Sequence, residues 1–123
     1  MKRDLDLVRS ILQWMEARPE GRNVAWEVII DGYTDEQIGY HVHLMGQAGL
    51  VIAKDSTFLE SHSPYAIPVS ITWAGHEFLG ASGDSSLWTS AKKKVIGPAG
   101  SVAFSVLLEW LKSEAKKKLM LTD

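Results

Sequence analysis

The chain contains no cysteine, so it can form no disulfide and offers no thiolate for catalysis or metal binding. That absence suits a reducing compartment, and a cytoplasmic location is expected. No apolar run approaches the roughly 18 residues that a membrane span requires. The start, Met1-Lys2-Arg3-Asp4, is not followed by the apolar stretch of a secretory signal. No membrane association is therefore expected. The 13 Lys and Arg against 15 Asp and Glu leave a net charge of −2, which gives no bulk attraction to nucleic acid or acidic lipid.

Constellations that carry chemistry are also missing. His41 and His43 stand two apart, so on a helix they diverge by about 200° and cannot share a metal. His62 and His76 are scattered from them and from each other. Ser61-His62-Ser63 has no acid partner or nucleophile elbow. Gly97-Pro98-Ala99-Gly100-Ser101 lacks the lysine and the preceding strand of a phosphate loop, and reads as a hinge. Glu27 and Glu77 are isolated carboxylates. No catalytic residue, cofactor or metal is expected, and an enzyme is not.

What remains is an ordered series of elements. The 123 residues suit one folded core. Leu5, Val8, Leu12 and Met15 recur at helical spacing, widened by Leu7, Ile11 and Trp14, and predict a helix from Asp4 to Arg18, ended by Pro19 and Gly21. Val24, Trp26, Val28 and Ile30 alternate with Ala25, Glu27 and Ile29, which predicts a strand, with a short helix as the competitor. Thr34 and Gln37 form a capping-box pattern that opens a second helix, with Ile38, Val42, Leu44 and Met45 inward and Gly49 as its left-handed stop. Leu50 to Lys54 reads as a strand, Asp55 to Ala66 as a polar hairpin loop, and Ile67 to Trp73 as a returning strand. Pro68 argues that the latter is an edge. A helix follows from Thr72 or Trp73, a small-residue break at Ala81 to Ser86, and a further helix from Leu87 to Val95. After the Gly97-to-Gly100 linker, Ser101 caps a last helix, Val102 to about Leu119. That helix carries apolar residues on more than one face, which predicts a second subunit against Phe104, Leu108, Trp110 and Leu111. Most of the five tryptophans, Trp14, Trp26, Trp73, Trp88 and Trp110, are expected in the core, with one or two at a subunit contact.

The run Gly39-Tyr40-His41-Val42, then Met45, then Ala48-Gly49-Leu50-Val51, has the spacing of the S-x-H-L-x-x-L-x-x-A-G-L-V pattern found in ArsR- and MarR-type repressors. Ile71-Thr72-Trp73-Ala74-Gly75-His76-Glu77-Phe78-Leu79 resembles the L-T-x-x-G-x-x-F/Y-L closing segment of many winged helices. Together they imply an α/β (α+β) winged-helix domain over residues 1–96, with a C-terminal helical extension over 97–123. The whole chain also resembles a family of small bacterial and phage-borne proteins of unknown function. The likeness rests on Met1 to Asp4, on Gly32-Tyr33-Thr34, on Thr72 to Leu79, and on the glycine-rich break before a hydrophobic helix.

A winged helix that reads DNA places the second helix in the major groove and the wing on the backbone. The outward stripe would be Glu36, Tyr40, His43 and Gln47, and the wing would offer Lys54, Thr57 and His62. Yet Lys54 is the only Lys or Arg between residues 34 and 76, against Asp35, Glu36, Asp55 and Glu60. DNA-binding proteins commonly neutralise about 6–10 phosphates. The remaining candidate basic patch is Lys92, Lys93 and Lys94 with Lys116, Lys117 and Lys118, brought together in a homodimer. Two functions follow as expectations. One is a small regulatory protein of the phage or prophage type that binds double-stranded DNA. The other is an adaptor that uses the same scaffold to bind another protein.

Overall fold

The apolar stripe at the start of the chain folds as α1, Leu5–Glu16, burying Leu5, Leu7, Val8, Ile11, Leu12 and Met15. Asp4 caps it: one carboxylate oxygen accepts the backbone N–H groups of Asp6 at 2.9 Å and Leu7 at 3.2 Å. The helix stops at Glu16, before the expected Arg18, whose guanidinium lies 3.7 Å from the Trp14 ring centroid. This computed structural model describes residues 1–23, 27–97 and 102–121.

The predicted strand over 24–30 is corrected where it can be seen. Residues 24–26 lie outside the described residues, and Glu27 to Ile30 belongs to no strand. Its alternation survives without a ladder, since Val28 is buried while Ile29 is exposed. Period-two burial needs only one apolar side, not a hydrogen-bonded neighbour.

Next comes α2, Asp35–Gln47. Thr34 and Gln37 form the capping box from both directions, at 3.2 Å and 2.8 Å. Ile38, Val42 and Met45 are buried as expected, while Leu44 is half-buried. Gly49 takes the left-handed conformation at φ 76°, and the N–H of Leu50 returns to the Met45 carbonyl at 2.9 Å.

That turn delivers the chain into β1, Val51–Asp55, which pairs antiparallel with β2, Ala66–Ile71. Val51 faces Ile71 and Ile52 faces Ser70, but Ala53 faces Pro68, so Val69 is an extra residue that bulges from β2. Pro68 sits beside this irregularity, where its missing N–H costs least. The carbonyls of Pro68 and Val69 are taken by Asn23, at 2.9 Å through its side chain and 2.7 Å through its backbone.

Thr72 joins three elements. Its hydroxyl donates to the Gly49 carbonyl at 2.5 Å and accepts the Gly75 N–H at 3.1 Å. Its own N–H reaches the Leu50 carbonyl at 3.1 Å. It thereby caps α3, Trp73–Ser82. A Cβ on Gly75 would stand 2.2 Å from the Leu50 carbonyl oxygen, so the helix start can approach the turn only as glycine.

The chain divides into two compact units, Met1–His76 and Glu77–Asp123, with the division inside α3 and well ahead of the glycine-rich break. In the second unit, Asp84 caps the short α4, Ser85–Ala91. The chain then continues as a π-helical turn, Lys92–Ile96, ending at Gly97 with φ 64°, where the sequence pattern predicts α-helix through Val95. Pro98, Ala99, Gly100 and the predicted cap Ser101 lie outside the described residues. Last is α5, Phe104–Leu121. Its core partners are clear: the Phe78 ring centroid is 6.0 Å from that of Trp88 and 5.0 Å from that of Phe104.

The mixed α+β architecture therefore comprises, among the described residues, five α-helices and one two-stranded antiparallel sheet. No helix among them is long and apolar enough to cross a membrane. The tryptophan expectation is corrected. Only Trp88 among the four described tryptophans is buried, Trp14 and Trp110 are half-buried, and Trp73 is 82% exposed. Trp26 lies outside the described residues.

Candidate functional site

Three residues distant in sequence meet at one hydrogen-bonded node. The backbone N–H of Asp4 donates to Nε2 of His41 at 2.8 Å. Since Nε2 must accept, Nδ1 carries the hydrogen and donates to the Gln37 carbonyl at 2.7 Å. His41 is 2% exposed, and both ring nitrogens are used. Asp4 completes the node by accepting the Tyr33 hydroxyl at 3.0 Å. Burial first, and then this bond to Asp4, push the Tyr33 phenol up to about 12. Asp4, Tyr33 and His41 thus lock α1 against α2 and are consumed by that task.

A second network lays the β1–β2 loop across the first turn of α2. The Tyr65 hydroxyl donates to Asp35 at 2.7 Å, and the Ser63 hydroxyl donates to Glu36 at 3.0 Å. The Tyr65 ring lies against Gly39, where a Cβ would come within 2.1 Å of ring carbon Cδ2. One turn pair further along α2, a Cβ on Gly46 would stand 3.1 Å from that of Ala53. Glycines seven residues apart therefore give α2 a flat side, and the hairpin rests on it. Burial, followed by the bond to Asp35, raises the Tyr65 phenol to about 12. The loop itself is ordered by Thr57, whose N–H and hydroxyl both donate to Asp55, at 2.9 and 2.6 Å. Those bonds hold the Asp55 carboxyl below its usual range. Thr57 Oγ1 also accepts the Tyr65 N–H at 3.0 Å.

The predicted stripe on α2 is only partly open. Glu36 and Gln47 are exposed, while Tyr40 and His43 are half-buried and stack on each other at 6.3 Å between centroids. Lys54, Thr57 and His62 are exposed on the hairpin, with Thr57 already engaged as described. The two lysine triplets do not converge within a chain. Lys118 bonds Asp84 at the N-terminus of α4, whereas Lys92 to Lys94 follow its C-terminus, about 10 Å of helix away. That bond, with those from Ser86 and Leu87, holds the Asp84 carboxyl far below its usual range. Lys117 pairs with Glu114 at 3.3 Å. Of the predicted subunit contact, Leu111 is fully buried in the chain's own core, while Phe104 packs on Phe78 and is half-buried. Leu108 and Trp110 are half-buried.

The most unusual surface was not singled out by sequence. Phe58 is 60% exposed and Leu59 fully exposed at the tip of the β1–β2 loop. Phe58 forms one wall of a cleft of ≈ 200 Å³ shared with Asp35, Glu36, Glu60 and Tyr65. Two adjacent large apolar residues in an otherwise polar loop were the available signal. The position of Tyr65 over Gly39 had none. No group of His, Asp and Glu among the described residues is arranged to hold a metal ion.

Residues 2–101 match the protein family described as "Hypothetical protein (DUF2513)". A curated relative from Haemophilus influenzae (strain ATCC 51907 / DSM 11121 / KW20 / Rd), named "Uncharacterized protein", is 36% identical over 95 residues, which cover 77% of this chain and 79% of the relative. No solved structure matches the chain.

Proposed function

Because this chain belongs to the DUF2513 family, whose description assigns no activity, we propose its function from geometry: a winged-helix-like adaptor whose α2 and hairpin bind another protein rather than duplex DNA. The observation that carries this reading is the state of the first turn of α2. In a DNA reader that turn faces phosphate, where N–H groups and cations are needed. Here it bears Asp35 and Glu36, and both are hydrogen-bonded to the overlying loop. Lys54 is the single Lys or Arg from residue 34 to 76. Like charges at the groove would repel the backbone that supplies most DNA affinity. The order helix, helix, hairpin, helix supports the winged-helix-like description, as does the left-handed turn at Gly49 that feeds α2 straight into β1.

The test is fluorescence anisotropy of a labelled random duplex titrated with the protein at low salt. A flat response is expected. Binding that weakens steeply as salt rises would replace this reading with the DNA-binding one.

A further inference from the structure

The adaptor reading names no partner, and the tip of the β1–β2 loop narrows its chemistry. Phe58 and Leu59 stand out from the hairpin, 60% and 106% exposed, where a loop tip ordinarily carries polar residues. They are not a floppy appendage. The Phe58 N–H meets the Ser61 hydroxyl at 3.2 Å, and the Ser61 N–H reaches the Phe58 carbonyl at 2.9 Å. The apolar pair is thus presented on a closed turn, at low ordering cost to a partner.

The formal charge beside it, with His62 in the same cleft counted as neutral, is of one sign. Asp35, Glu36 and Glu60 share the cleft bounded by Phe58 and Tyr65. Asp35 and Glu36 take neutral hydroxyl donors, and none of the three carboxylates forms an ion pair with a cation among the described residues. An ammonium or guanidinium group entering there would meet carboxylates and aromatic faces together, both of which favour a cation. An apolar residue next to that cation would cover Leu59. Nucleic acid and anionic lipid surfaces carry the wrong sign.

We infer that the tip formed by Phe58 and Leu59, with the carboxylates of Asp35, Glu36 and Glu60, docks a basic segment of a partner protein that carries a large apolar residue beside a Lys or Arg. This rests on the adaptor reading and specifies its surface.

Three helical probe peptides test it: one built of Leu and Lys, a Leu–Glu analogue and an Ala–Lys analogue. Backbone amide NMR shifts of the intact protein report the contact. The Leu–Lys peptide is expected to shift the amides of Phe58, Leu59 and Glu60, and to bind roughly tenfold more tightly than either analogue. Leu59→Asp should abolish that binding, and Glu60→Lys should turn the preference toward the Leu–Glu peptide. Both positions are exposed, so thermal melts of these variants should match the parent. The inference is overturned if the Leu–Lys peptide leaves the tip unshifted, if the Leu–Glu peptide binds equally well, or if Leu59→Asp splits a dimer in sedimentation, which would make a second copy the occupant. Any of these can occur while the duplex titration stays flat, so loss of this site is separable from loss of the adaptor reading.

Discussion

Replacing Gly39 by Ala should reverse the usual effect of that exchange. In a helix interior, Ala is favoured over Gly by about 1 kcal/mol. On α2, the added Cβ would stand 2.1, 2.2 and 2.7 Å from Cδ2, Cε2 and Cγ of Tyr65. Carbon atoms in good contact sit about 3.5–4.0 Å apart, so the ring must retreat by more than an ångström. Retreat breaks the 2.7 Å bond from its hydroxyl to Asp35. Overpacking costs about 1–3 kcal/mol and a lost hydrogen bond about 1 kcal/mol more. After the propensity gain, a net loss of about 1–3 kcal/mol is expected. At about 4–8 °C per kcal/mol, a drop in Tm should be plain. Removing the obstacle restores the ordinary sign: in a Tyr65→Ala background, Gly39→Ala should stabilise by about 1 kcal/mol. Urea unfolding of the four proteins, followed by circular dichroism, closes the double-mutant cycle with a coupling of about 2–4 kcal/mol. A more stable Gly39→Ala single variant, or a coupling near zero, would refute the close seating of the loop on α2.

The other expectations concern the hydrogen-bonded nodes. His41→Ala removes the partner of the Asp4 N–H and leaves a hole between α1 and α2; urea unfolding should show a loss of about 2–4 kcal/mol. A loss within about 0.5 kcal/mol would contradict a buried pin. Tyr33 and Tyr65 should each ionise only near pH 12, so Tyr33→Phe and Tyr65→Phe should each remove a late step from the 295 nm absorbance titration. Both folded values lie above the ordinary 10, so their contribution is complete below pH 10 and is lost as pH rises toward 12. Asp84 runs the opposite way. Its depressed carboxyl contributes above the ordinary carboxylate range and loses that contribution as acid protonates it. Asp84→Asn should therefore flatten the acid limb of unfolding curves for the second unit.

Local chemistry made much of this fold readable in advance. The capping box at Thr34 and Gln37, the left-handed Gly49, and the apolar stripes of α1 and α2 depend on neighbours within a few residues. Signals of that range survive in sequence. The failures involve partners chosen by tertiary structure. Val28 and Ile29 keep their alternation, but no spacing rule states whether a second strand lies alongside. Trp73 starts α3 with its ring outward, because the glycine two positions on must press against Leu50. The Lys92–Ile96 turn winds more loosely than an α-helix, and composition carries no mark of that. Of the candidate site, the acidic character of α2 was legible by counting. The aromatic seat of Tyr65 and the closed turn that lifts Phe58 and Leu59 were not, since both arise from contacts across the hairpin.

The Asn23 clamp on the carbonyls of Pro68 and Val69 has a further consequence. A two-stranded ribbon normally leaves backbone groups free to recruit another chain's strand. Here that margin is occupied over the bulge, and proline contributes no donor to it. Templated stacking of ribbons into fibrils is thereby discouraged along β2. At the bulge, an assembling neighbour would meet side chains rather than open backbone.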